Sequence, residues 1–263
     1  MIRILHIEWL KLRTMHTTFG ILTTSAVLTA LFSTLEASRA GGATSTVAPL
    51  YTASGLTTVT TVTGWSMIFA AVLGVIVSSG EFRHGTATLT FLGTPNRRRV
   101  LVAKATVGAG AGAIFGALSA LIATAVGLIF VAAHGYNVVL GVGTLGGHAA
   151  GAVLGAALFG AIGVAIGTLI RSQLAGVIGM FVWALVIESL VGGLFTAVRP
   201  YLPYTAATTL AGIKLGGAAL GPAHGLSGVA GPLPFAAAAA LVAFIALSIL
   251  VLAAETTLQR DIT

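Results

Sequence analysis

The chain has 263 residues, of which 57% are hydrophobic and 7% charged, against roughly 25% charged in an ordinary soluble domain. So few charges cannot clothe a soluble surface, and they gather into short islands between apolar runs long enough to cross about 30 Å of hydrocarbon. The net charge of +7 does not point to nucleic acid, because the basic residues flank apolar runs and sort by side, while the absence of cysteine excludes disulfides, thiolate metal sites and cysteine nucleophiles.

The pattern predicts one all-α membrane domain over residues 1–263. Residues 2–13 form an amphipathic helix, with Ile2, Leu5, Trp9 and Leu12 on one face and Arg3, His6 and Arg13 opposite. Such a helix suits the membrane interface, although a plain basic anchor is the alternative. Six transmembrane helices follow, at 15–35, 56–77, 100–133, 147–170, 174–198 and 234–254. The first exceeds the apolar core of a signal peptide and is expected to stay in the protein. The third is longer than a crossing needs, so it tilts or starts outside the membrane with residues 100–104.

With the N-terminus in the cytosol, ten basic residues lie inside (Arg3, Lys11, Arg13, Arg83, Arg97, Arg98, Arg99, Lys104, Arg171, Arg260) against three outside (Arg39, Arg199, Lys214). That bias, with an even number of crossings, predicts a multi-pass protein of the bacterial inner membrane with both termini cytoplasmic. The inner basic residues also suit contact with anionic membrane lipid.

The loop between the second and third spans reads Gly80-Glu81-Phe82-Arg83-His84-Gly85-Thr86, continues to Leu92, and ends Gly93-Thr94-Pro95-Asn96-Arg97-Arg98-Arg99. Ser78 and Glu81 have capping-box spacing, and Phe82, Thr86, Leu89 and Leu92 form one stripe. Gly93 and Pro95 stop the helix, with Thr94 and Pro95 opening the next. A short helix with an apolar stripe needs something to pack against: the protein's own helix ends, or a partner.

Three features lie within the spans. Glu188 is the acid placed well inside one, at a cost of about 2.5–3.5 kcal/mol if it met lipid while charged; a cavity or gating residue and a hydrogen-bonded helix contact both fit. Gly108, Gly112 and Gly116 form one ridge and Gly147, Gly151 and Gly155 another, a spacing that lets helices approach closely. Packing of the third span on the fourth explains both, and a subunit interface is the alternative. Thr57, Thr58, Thr60, Thr61 and Thr63 run into the second span ahead of Trp65, Met67 and Phe69. Thr60, Thr63, Met67 and Glu188 are candidates for a translocation path, though threonine hydroxyls also bond back to helix carbonyls. The histidines show no metal-ligand spacing.

The joint order of these features resembles the ABC-2 type permeases, the membrane subunits of ATP-driven exporters. It is carried by Glu8, Lys11 and Arg13 in the N-terminal helix, the Gly-Glu-Phe-Arg-x-Gly-Thr run from Gly80, and Pro95, Arg97, Arg98, Ala103 and Lys104. It continues in Arg171-Ser172, in Trp183 with Glu188, and in Tyr201-Leu202-Pro203-Tyr204-Thr205-Ala206-Ala207, covering essentially the whole chain. The Gly-rich stretch from Leu210 to Pro234 departs from the family's shorter members.

The resemblance implies an N-terminal interfacial elbow helix, a cytoplasmic coupling helix between spans two and three, and an external re-entrant segment after span five. It makes Glu81, Phe82, Arg83, Gly85 and Thr86 the segment that docks on an ABC ATPase subunit, two copies per complex, with a second permease copy or paralogue completing the assembly. None of Lys11, Lys104 and Lys214 stands in a P-loop. The chain is therefore expected to be non-catalytic, with ATP and magnesium on the partner subunit and no cofactor of its own. A stand-alone secondary transporter or channel using Glu188 as a proton site is the competing expectation. An embedded enzyme is disfavoured, because the acids other than Glu188 are expected at membrane boundaries.

Overall fold

The computed structural model describes residues 2–42, 45–83, 97–213 and 232–256. Every regular element among them is a helix: α1 (Ile2–Thr14), α2 (His16–Arg39), α3 (Ala53–Thr60), α4 (Gly64–Arg83), α5 (Arg97–Ala133), α6 (Val142–Ile170), α7 (Gln173–Leu194), α8 (Pro203–Leu210) and α9 (Phe235–Thr256). Among the described residues six stretches are long and apolar enough to cross a membrane, α3 and α4 together making the second. The chain is thus a multi-pass integral membrane protein, its spans alternating between the end that carries α1 and the far end.

Close backbone approach organises the bundle around α6. Without a hydrophobic drive between helices in lipid, van der Waals contact must hold them, and small residues supply it. Gly108, Gly112 and Gly116 of α5 lie against Gly160, Ala156 and Ala152 of α6, an antiparallel register in steps of one turn. A Cβ on any of the three glycines would collide with α6: with the Ala156 and Ala152 carbonyls at Gly112 and Gly116, and with Val164 at Gly108. On another side of α6, Gly163 meets the backbone of Ala71 and Gly167 that of Val75 in α4, a parallel register. A 2.5 Å hydrogen bond between the Ser78 and Thr168 hydroxyls continues this seam.

The predicted packing of the third span on the fourth is present, but through one glycine ridge only. Gly151 accommodates the Leu210 carbonyl, Gly155 the Met67 side chain and the Ala207 carbonyl, and Gly147 has open space around it. The second ridge therefore seats α8 and α4 rather than α5. A short helix whose carbonyls reach a neighbouring backbone is not visible in glycine spacing.

Two predicted spans depart from single helices. The second breaks at Thr61, Val62 and Thr63, between α3 and α4. Seven consecutive β-branched residues, 57–63, crowd the preceding turn, and hydroxyls here compete for the carbonyls: Thr61 Oγ1 donates to Thr57 O at 2.8 Å, and Ser66 Oγ to Thr63 O at 2.6 Å. The fifth stops at Leu194 rather than 198, Phe195 leaving helical geometry at φ −122°, ψ 77°. The chain doubles back so that Arg199 lies over Gly192. A 3-10 turn (Arg199–Tyr201) then leads into α8.

The first span extends past 35 to Arg39, so Glu36, expected at a boundary, sits inside the helix and is buried. The third runs for 37 residues, about 55 Å, and its first turns are covered by protein, with Val100, Leu101 and Ala103 buried. At one end of the bundle Arg171, with φ 56°, caps α6 in the left-handed conformation and Ser172 Oγ caps α7 by accepting from Ala175 N.

Replacing Gly112 by leucine is expected to destabilise the bundle by about 1–3 kcal/mol through overpacking. Gly179→Ala, in open space on α7, is expected to leave the melting temperature unchanged or slightly raised. Thermal unfolding of both variants in mild detergent checks this, and equal melting points would contradict the packing.

Candidate functional site

One densely satisfied polar centre is built on Glu188. Residues Val182–Ile187 form a π-helical segment inside α7, and a π turn brings residues five apart onto one side. Trp183 Nε1 thereby donates to Glu188 Oε1 at 2.9 Å. The same oxygen accepts from Tyr204 N at 2.7 Å, while Oε2 accepts from Thr205 N at 2.9 Å and Thr205 Oγ1 at 3.1 Å.

Tyr204 and Thr205 are the second and third residues of α8, whose first is Pro203 and whose N-cap, Leu202, offers no side-chain acceptor. Glu188 takes that place from another helix, satisfying two orphan amides and placing negative charge at the positive end of α8. The acid is 3% exposed. Its carboxylate is thus the N-terminal cap of α8, the hydrogen-bonded contact the sequence allowed. Its partners, Tyr204 and Thr205, stood in the run that carries the family resemblance, with no contact to Glu188 assigned.

Around this cap α8 is enclosed. The Tyr204 ring lies edge-on to Phe159 of α6 at 5.9 Å, and its hydroxyl covers Gly64, where the broken second span resumes. Two irregular features, the break at residues 61–63 and the turn into α8, therefore meet inside the protein, where departures from helix are tolerated at membrane depth.

A second polar centre lies at the α1 end. Glu8 is 2% and Lys104 5% exposed; Lys104 Nζ contacts Glu8 Oε2 at 2.8 Å and Lys11 Nζ contacts Glu8 Oε1 at 3.1 Å. This ties α1 to the first turns of α5, and Trp9 lies over Gly110. On α1, Glu8 and Leu12 are buried against the protein, whereas Ile2 is 83% and Trp9 40% exposed. Hydrophobicity cannot flag an acid that is buried because a lysine 96 residues away meets it. Both Glu8 and Lys104 stood among the residues carrying the family resemblance, but with no contact assigned between them.

The other predicted positions are not gathered with these. Thr60 is 2%, Thr63 1% and Met67 0% exposed. Thr60 Oγ1 donates to Leu56 O at 3.0 Å and Thr63 Oγ1 to Thr61 O at 3.4 Å. Thr60 packs over Gly127 of α5, and Met67 over Gly155 of α6. Glu81, Phe82 and Arg83 form the last turn of α4, and Gly85 and Thr86 lie outside the described residues. A cavity of about 390 Å³ opens at the far end, lined by Pro49, Tyr51, Phe130, His134 and Tyr136 among others. Among the described residues no group of three histidines or acids is placed to hold a metal ion.

Comparison with known protein families and with curated proteins finds no match to this chain.

Two substitutions test the polar centres. Glu188→Ala leaves the Tyr204 and Thr205 amides buried without acceptors and is expected to cost about 1–3 kcal/mol; proteolysis between α7 and α9 should quicken before the bundle melts. Lys104→Met takes away the buried partner of Glu8 and leaves it the part-exposed Lys11, with an expected loss of about 1–3 kcal/mol. The double variant Glu8→Leu/Lys104→Met should recover much of that loss, and a double variant no more stable than Lys104→Met would deny the pair. Thermal unfolding reads each.

Proposed function

We propose that this chain is the permease subunit of an ATP-driven exporter of the ABC-2 type, working as a dimer of permeases with two separate ATPase subunits. The observation that carries this reading is a coincidence at one end of the bundle. There α1 is fixed to the start of α5 by the buried Glu8–Lys104 pair, and α4 ends at Arg83 and α5 begins at Arg97, so the Gly-Glu-Phe-Arg-x-Gly-Thr segment joins them beside the fixed helix. A surface helix locked to the root of a long span, at the end where α4 stops and α5 starts, can pass a push applied there into the membrane.

In this reading that end is cytoplasmic, α1 is the elbow, Glu81, Phe82, Arg83, Gly85 and Thr86 engage the ATPase, and α8 is the external re-entrant element. The eight residues of α8 span about 12 Å, too short to cross. Thr60, Thr63 and Met67 are enclosed within one chain, which supports a role in shaping the wall of the path rather than touching cargo.

The competing reading, a secondary transporter with Glu188 as its proton site, is supported less. Four donors converge on that carboxylate, two of them backbone amides, and protonation would release part of the cap on α8.

Extraction of the complex in mild detergent is expected to yield a co-purifying ATPase, whose hydrolysis in the complex falls or uncouples from transport with Glu81→Ala or Arg83→Ala. The purified chain alone should not hydrolyse ATP. A lone chain that supports ion-gradient-driven flux in liposomes, lost in Glu188→Gln, would replace the exporter with the secondary transporter.

A further inference from the structure

The buried face of α2 is polar. Its buried residues are Ser25, Thr29, Ser33, Glu36 and Ala37, while Phe19, Val27 and Leu31 are exposed. With Thr18 added, the polar positions recur at intervals of seven, four, four and three, a single stripe along the helix. A span that turns hydroxyls inward and hydrocarbon outward is arranged around something polar.

The middle of the stripe is satisfied. Thr29 Oγ1 donates to Ser25 O at 2.9 Å and shares a 3.1 Å hydrogen bond with Ser119 of α5. On either side of that pair the side chains are orphaned: Thr18 Oγ1, Ser25 Oγ, Ser33 Oγ and Glu36 Oε2 are all inaccessible and make no hydrogen bond within the protein. Helical serine and threonine normally bond back to the preceding turn, as Thr24, Thr60 and Thr61 do here. Orphans grouped on one stripe mark an unfilled requirement for hydrogen-bond partners.

We infer that the buried stripe of α2 binds water on both sides of the Thr29–Ser119 pair, at a near-end level beside Thr18 and Ser25 and at a far-end level beside Ser33 and Glu36. The oxygens run along about 27 Å of helix, so they cannot converge as a cation cage needs, with six or more ligands at about 2.3–2.6 Å. A row of separated donors and acceptors suits successive waters, each with two to four polar partners. The far-end level lies within a turn of the end of α2 at Arg39, which makes that end the route of exchange. This inference does not depend on the exporter reading.

The chain contains no cysteine, so a single introduced thiol is the only target. In lipid nanodiscs, Ser33→Cys is exposed to silver ion, a thiol reagent small enough to follow water, and the surviving thiol is counted with a fluorescent maleimide after denaturation. Leu31→Cys, on the lipid face, is the control. Ser33→Cys is expected to react several-fold faster than Leu31→Cys; equal or slower reaction overturns the inference.

Should that variant fail to assemble, the double change Ser25→Ala/Ser33→Ala decides. Removing anchors from bound water lowers the melting temperature, whereas removing orphaned hydroxyls from a dry seam raises it. A rise overturns the inference.

Discussion

Everything in this bundle depends on how closely α6 lets its neighbours approach. In lipid a leucine-faced helix gains nothing by leaving the hydrocarbon for another helix, so affinity comes from contact between backbones. α6 offers small residues on several sides: Ala152, Ala156 and Gly160 toward α5, Gly163 and Gly167 toward α4, Gly151 and Gly155 toward α8 and Met67. Three helices thereby share one close-packed centre, and α2, α7 and α9, whose spanning windows are 17–22% buried, form the periphery. Any motion of the single chain that keeps the centre intact must move these outer helices.

Polar groups complete what glycine begins. An eight-residue helix inside a membrane protein has amides at its start that no lipid can satisfy, and Glu188 supplies the acceptor. The burial of Glu8 follows the same rule at the α1 end, where the acid is tolerated in a protected place because Lys104 and Lys11 offset its charge. Neither acid is stabilising by itself. Each fixes where a short, otherwise weakly held helix must lie.

The spans were legible because length and apolarity report crossing directly, and the ridge through Gly108, Gly112 and Gly116 because four-residue spacing in an apolar run has few other uses. The break at residues 61–63 was signalled by its β-branched residues, yet the same run also reads as a span entrance. What escaped the sequence were contacts between residues far apart: Glu8 with Lys104, the α8 carbonyls with Gly151 and Gly155, and the inward turn of Glu36. Hydropathy treats a charge near a helix end as facing water, and only its neighbour in space shows otherwise. The π segment ahead of Glu188 has no compositional mark, although the five-residue interval from Trp183 to Glu188 is its trace.

The two buried acids also differ in when they find their partners. Glu188 and the amides that hold it are 16 and 17 residues apart, so at about 5–20 residues per second the ribosome supplies the partner within a few seconds. The turn between α7 and α8 can close while α9 is still unmade, and the acid need not wait uncompensated in the lipid. Glu8 and Lys104 are separated by 96 residues, with two spans synthesised between them. The acid of the N-terminal helix must therefore wait for the start of the third span before it meets its buried lysine.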